Sequence, residues 1–105
     1  MQKCRITVLE TTFNEKLAKK YGVANLGRCP LHKVGQIFET DYAKPENFCN
    51  EAWIAIHHYV FALVHGSTIP FFCDKWIRKE GISINSCNDG FRPVLFKLER
   101  IKDNV

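Results

Sequence analysis

The chain lacks a dense basic stretch. Its longest run of Lys and Arg is Lys19–Lys20, and the formal charge of +4 comes from 15 basic and 11 acidic residues. A surface that binds nucleic acid normally needs a denser basic stripe. We therefore expect no nucleic-acid partner.

A long apolar run is also missing. The longest, Ala52–Val64, has 13 residues and contains His57 and His58, whereas a membrane-spanning helix needs about 20 mostly apolar residues. The opening stretch MQKCRITVLE alternates like a strand and does not have the pattern of a signal peptide. We expect no membrane partner and no leader segment.

Gly-rich phosphate loops, serine-elbow motifs, closely spaced carboxylate pairs, internal repeats and linkers are absent as well. Five cysteines, an odd number at irregular spacings, do not form a convincing disulfide framework. This pattern favours a reduced, cytoplasmic protein with free thiols. A length of 105 residues and 46% hydrophobic content predict one globular domain over residues 1–105.

The N-terminal half predicts two strands and a short helix. Lys3–Glu10 alternates apolar and polar residues as a half-buried strand does, and VGQIFETD repeats that alternation. Between them, FNEKLAKKYG predicts a helix that Asn14 caps and that Gly22 ends in the left-handed conformation.

A longer helix is predicted over Asn50–His65, closed by Gly66. Its core face at 100° per residue consists of Trp53, Ile56, Val60, Leu63 and Val64. Ile54 and Phe61 widen the apolar arc beyond what one core contact needs. This surplus predicts a homo-oligomer.

The C-terminal part predicts a short helix over Ser67–Gly81 and then a β-hairpin. A three-residue loop, Asn88–Gly90 with Gly90 left-handed, pairs Ile84 with Val94 and puts the apolar residues of both strands on one face. The expected fold is α+β, a small antiparallel sheet with a C-terminal hairpin packed on one central helix and shorter helices.

Cys49 lies at the mouth of the predicted central helix, in ENFCNEAW. The unpaired N–H groups and the positive dipole end of a helix stabilise a thiolate. The alternative is that Cys49 fills core space beside Phe48 and Trp53, as buried cysteines often do. We predict that Cys49 is the first thiol to be alkylated, and earlier labelling of Cys4 or Cys73 would contradict this.

Cys29 and His32 have the C-x-x-H spacing that some zinc sites use. A second ligand pair at such spacing is missing from the sequence, so we predict no tightly bound zinc, and a metal site is only the third hypothesis. Cys87 precedes the hairpin loop and is predicted to point away from the strand core. Asp89 belongs to the turn, and Arg92 is either a solvated end or an anion anchor beside the thiol.

Three stretches, LGRCPLHKVGQIFE, FCNEAW and CNDGFRPVLFKLERI, resemble a family of small, roughly 100-residue cysteine-containing proteins of anaerobic bacteria and archaea that has no established function. The residues that fall on its motifs are Cys29, Cys49, Cys87, Asp89, Gly90, Arg92 and Pro93. His32 and Cys73 lie outside the pattern. The resemblance implies membership of a family, and no activity.

These observations lead to one main hypothesis and two alternatives. The main one is a small-molecule site centred on Cys49, Cys29 and Cys87, acting by thiol nucleophilic or redox chemistry, with ligand-binding residues Arg92, Asp89 and Trp53. The first alternative is a non-catalytic oligomeric binding module with structural cysteines, and the second is a metal-binding protein. The sequence identifies neither the small molecule nor a cofactor.

Overall fold

The computed structural model describes residues 2–67 and 76–102, which form a four-stranded antiparallel sheet and two helices. In chain order the elements are β1 (Lys3–Thr11), α1 (Glu15–Tyr21), β2 (Ile37–Thr40), α2 (Asn50–Val64), β3 (Ile82–Ser86) and β4 (Val94–Ile101). The strand order is β2-β1-β4-β3. The predicted α+β class, the C-terminal hairpin and the central helix are confirmed.

The core lies between α2 and one face of the sheet. It is built from the alternate residues of β1 and β4 and from one face of α2: Cys4, Ile6, Val8, Val94, Phe96, Leu98, Ala52, Ile56, Val60, Leu63 and Val64. Ala52 is fully buried, whereas Trp53, predicted on the core face, is half-buried at its margin. Neither of the helices described in residues 2–67 and 76–102 combines the length and apolar content needed to cross a membrane.

The other face of the sheet is open to solvent and carries ion pairs beside exposed apolar residues such as Ile37 and Ile84. Arg5 of β1 pairs with Glu39 of β2 at 2.9 Å, and Lys97 pairs with Glu99 within β4 at 3.5 Å. Such alternation, apolar towards the helix and charged towards solvent, is typical of antiparallel sheets with one covered face.

The ends of the helices agree in part with the predictions. The side chain of Asn14 accepts a hydrogen bond from the N–H of Leu17, so the predicted cap of α1 is confirmed. The prediction of a left-handed Gly22 is wrong, because the chain leaves α1 extended, with φ −89°. A Cβ at Gly22 would lie 2.8 Å from the Ala18 carbonyl oxygen, so glycine allows a close approach there. Gly66 has φ +84°, the conformation expected at the end of α2.

The predicted register of the hairpin is wrong. Ile84 pairs with Lys97 rather than Val94, and Ser83, paired with Leu98, is the residue of β3 that faces the core. Gly90 is not left-handed, and the connection extends over residues 88–93. The longer connection shifts β3 along β4, which leaves Ile84 44% exposed on the open face.

The predicted helix over Ser67–Gly81 lies mostly outside the described residues. Residues 68–75, which include Cys73, belong to that part of the chain. The described residues 76–80 form bends and a turn, without helix. Gly81 has φ +83° and leads directly into β3.

Candidate functional site

A cavity of about 350 Å³ lies where the N-terminus of α2, the hairpin connection and the loop after α1 meet. Its lining consists of Cys29, Leu31, Cys49, Glu51, Cys87, Asn88, Asp89 and Arg92. Five of the six predicted site residues are therefore brought together. Trp53 is not among them, because its ring packs against Phe48 at a centroid distance of 6.0 Å.

Cys87 continues β3 on its core-facing side, contrary to the prediction that it points away from the strand core. Its N–H donates to the Val94 carbonyl at 3.1 Å, and its sulfur accepts a hydrogen bond from the Val94 N–H at 3.3 Å. The corrected register explains the reversal, because Ser83, which has the same parity as Cys87, faces the core. A hydrogen bond donated to sulfur stabilises its negatively charged form.

Asp89 organises the connection that follows Cys87. One carboxylate oxygen accepts from the N–H groups of Phe91 and Arg92, at 2.9 and 3.1 Å, and the other accepts from Arg92 Nε at 2.8 Å. Partial burial opposes ionisation of Asp89, but these hydrogen bonds outweigh it and hold the pKa of the carboxyl below its ordinary value. Asp89 is thus both the predicted turn residue and the partner of Arg92.

Arg92 is held at the cavity by the same contact. The side-chain hydrogen bond to Asp89, partly opposed by desolvation, raises the pKa of Arg92 above its ordinary value. The sulfurs of Cys29 and Cys87 make smaller electrostatic contributions in the same direction. A permanent cation therefore lies within electrostatic range of two cavity thiols.

Contacts on two sides pin the hairpin connection. The N–H of Thr12 donates to the Pro93 carbonyl at 2.9 Å and the N–H of Asn14 to the Phe91 carbonyl at 2.7 Å. On the other side, Asn88 Nδ2 donates to the Glu51 carbonyl in the first turn of α2, at 3.3 Å. The segment that carries Asp89 and Arg92 is consequently fixed against both the connection between β1 and α1 and the first turn of α2.

Cys49 is itself the N-cap residue of α2. It is extended, at φ −62° and ψ 129°, and its side chain makes no capping hydrogen bond. Asn47 is left-handed, with φ 63°, and turns the chain into the helix. The half-buried thiol borders both the cavity and an adjoining groove that Phe48, Asn50 and Lys44 help to line.

The segment around Cys29 reaches the cavity from the loop after α1. Arg28 donates from Nη1 to the Thr11 carbonyl, which ties this loop to the end of β1. Cys29 is half-buried and packs against the core, and Leu31, 64% exposed, lies at the cavity rim.

His32 lies in the aromatic core and does not line the cavity with Cys29. Its ring is 3% exposed and lies 5.1 Å from Phe48 and 5.7 Å from both Phe38 and Phe96. Nδ1 contacts Gln36 Oε1 at 3.3 Å, while Nε2 has no hydrogen-bond partner in residues 2–67 and 76–102. Within those residues, no three His, Cys, Asp or Glu side chains are grouped closely enough to share a metal ion.

Sequence reasoning missed three lining residues, Leu31, Glu51 and Asn88. Asn88 was identified only as part of the turn, although its amide joins the connection to α2. Glu51 follows the N-cap by two positions, so the predicted helix start at Asn50 already placed it at the helix mouth, although it was not chosen as a site residue. No feature of the sequence indicates that Leu31 lines the cavity, because its position depends on the course of an irregular loop.

Comparisons of the chain with protein-family models, with curated proteins and with solved structures found no match.

Proposed function

We propose that the cavity is a small-molecule site whose chemistry is carried by Cys29, Cys49 and Cys87. One observation carries this proposal: three cysteines separated by at least 20 positions in the sequence line the same cavity. None of the three is fully buried, unlike Cys4 in the core. A purely space-filling role would not require three partly exposed thiols around one opening.

The proposed reaction is attack by a cavity thiolate on an electrophilic carbon or sulfur. A new bond to the cysteine sulfur forms, and the leaving group departs with the electron pair of the bond that breaks. With a disulfide substrate, a second cavity thiolate then attacks the cysteine sulfur of the mixed disulfide, so that a disulfide between the two cysteines forms and the substrate leaves as a thiolate. The cationic Arg92 and the Val94 N–H bound to Cys87 support such chemistry, because both stabilise negative charge on sulfur.

Cys49 is the proposed first nucleophile. It lies at the N-terminus of a 15-residue helix, where the dipole favours a thiolate, and no capping hydrogen bond occupies its side chain. Limited alkylation of the folded protein by iodoacetamide, followed by peptide mass spectrometry, tests this order. We expect Cys49 to be labelled first. Labelling of Cys4 before Cys49 would contradict the proposal, and Cys49→Ser is the variant that should slow the fastest phase.

A second candidate function is a non-catalytic oligomeric binding module. Ile54 and Phe61 favour it, because both lie on α2 with 57% and 54% of their surface exposed. Sedimentation should then show a homo-oligomer for the native chain and a monomer for Ile54→Gln/Phe61→Gln. A monomeric native chain at micromolar concentration would count against this candidate, and unreactive cavity thiols would favour it.

The proposal includes a reducing compartment such as the cytoplasm, since free thiols persist there. The residues that fall on the motifs of the small cysteine-containing family include Cys29, Cys49, Cys87, Asp89 and Arg92. If the chain belongs to that family, the same cavity is a candidate site in its other members.

A further inference from the structure

The guanidinium of Arg92 has a free edge. Its Nε is used by Asp89 Oδ2 at 2.8 Å, and the other oxygen of Asp89 is occupied by backbone N–H groups. Neither Nη atom donates a hydrogen bond to another residue in the ranges 2–67 and 76–102. Arginine has five N–H donors, so four remain on the two Nη atoms.

This edge belongs to a residue that lines the cavity with the thiols. Arg92 is 33% exposed at its side chain and Asp89 30%, so the pair lies at the boundary between the cavity and solvent. Because Asp89 holds Nε and is itself held by the backbone, the plane of the guanidinium is fixed before any ligand arrives. A planar pair of donors matches the two oxygens of a carboxylate.

The charges around the cavity limit the kind of anion that fits. Arg92 is the single cation among the eight lining residues, and Asp89 and Glu51 supply two carboxylates. A doubly charged phosphate ester would meet more repulsion there than a singly charged carboxylate. The remaining lining is predominantly apolar and sulfur-bearing, which suits a short organic body.

We infer that the cavity takes a small molecule that carries a carboxylate, which binds the Nη edge of Arg92 and presents its reactive atom to the cavity thiols of Cys29, Cys49 and Cys87. This inference rests on the proposed function, because it names the substrate class of the same site. The cavity volume of about 350 Å³ is at the lower end of the range for small-molecule sites.

Two alkylating reagents of nearly equal size test the inference. Iodoacetate carries a carboxylate where iodoacetamide carries a neutral amide, and both form a thioether with cysteine as iodide leaves. The measurement is the rate with each reagent at Cys29, Cys49 and Cys87, by peptide mass spectrometry. The ratio of the two rates in the urea-unfolded chain is the reference. We expect the ratio in the folded protein to exceed that reference by about five- to tenfold.

Substitutions of Arg92 test whether its guanidinium causes the preference for iodoacetate over iodoacetamide. Arg92→Gln should return the ratio to the reference, and Arg92→Lys, which keeps the charge and loses the planar edge, should retain part of it. Arg5→Gln is the matched control, since Arg5 also pairs with a carboxylate but lies on the open face of the sheet. It should leave the ratio unchanged.

The native chain supplies an independent measurement that needs no variant. The preference for iodoacetate should decrease towards 1 M salt, where charges are screened within about 3 Å. If iodoacetamide labels the cavity cysteines but iodoacetate shows no excess over the reference at any of them, the inference is wrong and the proposed function stands. If neither reagent labels the cavity cysteines of the folded protein, both are wrong.

Discussion

Cysteine occurs in two contrasting regions of this molecule. Cys4 lies in the core between the sheet and α2 with none of its surface exposed, and desolvation raises its pKa to about 12. Cys29, Cys49 and Cys87 line a cavity beside a cation and a helix N-terminus. The packing around a thiol, more than the residue type, therefore decides whether the thiol is available for chemistry.

The contrast between Cys4 and the cavity thiols predicts a large difference in their rates of alkylation in the folded chain. Raising the pKa of Cys4 from 9.0 to about 12 lowers its thiolate population at neutral pH about a thousandfold. We therefore expect iodoacetamide to label the cavity thiols faster than Cys4, by on the order of a thousandfold. Peptide mass spectrometry at increasing reaction times gives the rates.

Unfolding in urea is the control for that experiment, because it should make all these rates similar. Labelling of Cys4 at a rate close to that of the cavity thiols in the folded protein would remove the contrast. It would also show that the core opens on the timescale of alkylation.

Truncating Phe48, which lies in the core next to the cavity residue Cys49, should destabilise the fold. Phe48 is 3% exposed, contacts His32, Phe38 and Phe96, and immediately precedes Cys49. Phe48→Ala should lower the free energy of unfolding by about 3–5 kcal/mol, measured by urea denaturation. Leu31→Ala, at the exposed rim, should change it by less than about 0.5 kcal/mol. Equal effects of the two changes would mean that the rim is as tightly packed as the core.

The stability of the fold should depend on pH through Asp89, which lines the cavity. The pKa of Asp89 is lower in the folded chain than its ordinary value of 3.8, so its ionised form stabilises the fold above that pH. The contribution is lost as the pH falls through the folded pKa. Asp89→Asn should therefore be less stable than the native chain near pH 7, and the difference should vanish at low pH.

Asp41→Asn is a useful comparison for Asp89→Asn. Asp41 also has a lowered pKa, through hydrogen bonds from the N–H groups of Ala43 and Tyr42, but it is fully exposed. We expect a smaller effect with the same sign. A native chain and Asp89→Asn that stay equally stable across the whole pH range would contradict the assigned role of Asp89.

The smallest expected effect concerns metal. Cys29 lines the cavity while the ring of His32 packs among phenylalanines, so the C-x-x-H pair does not present two ligands to one point. We expect elemental analysis of the purified protein to find far less than one zinc per chain, and a chelator to leave the unfolding temperature unchanged. About one zinc per chain, lost together with stability on chelation, would contradict this.

Much of the fold was determined by the sequence alone. Alternation in β1, the Asn14 cap, the limits of α2 and the stop at Gly66 agree with prediction, because each depends on residues a few positions apart. The presence of the hairpin was predicted for the same reason. The sequence also predicted one site centred on Cys29, Cys49 and Cys87 with Arg92, but it did not indicate the geometry of that site.

Tertiary structure decided the register of the hairpin and the existence of the cavity. The pairing of Ile84 with Lys97 follows from a connection that Asp89 lengthens by binding the N–H groups of Phe91 and Arg92. The convergence of three cysteines depends on contacts between distant segments, such as Thr12 with Pro93 and Asn88 with Glu51. The hydrogen bonds of a helix and the apolar–polar alternation of a strand involve residues a few positions apart, so the sequence indicates both. The pairing of strands, and a cavity between three segments, depend instead on how distant parts of the chain come together.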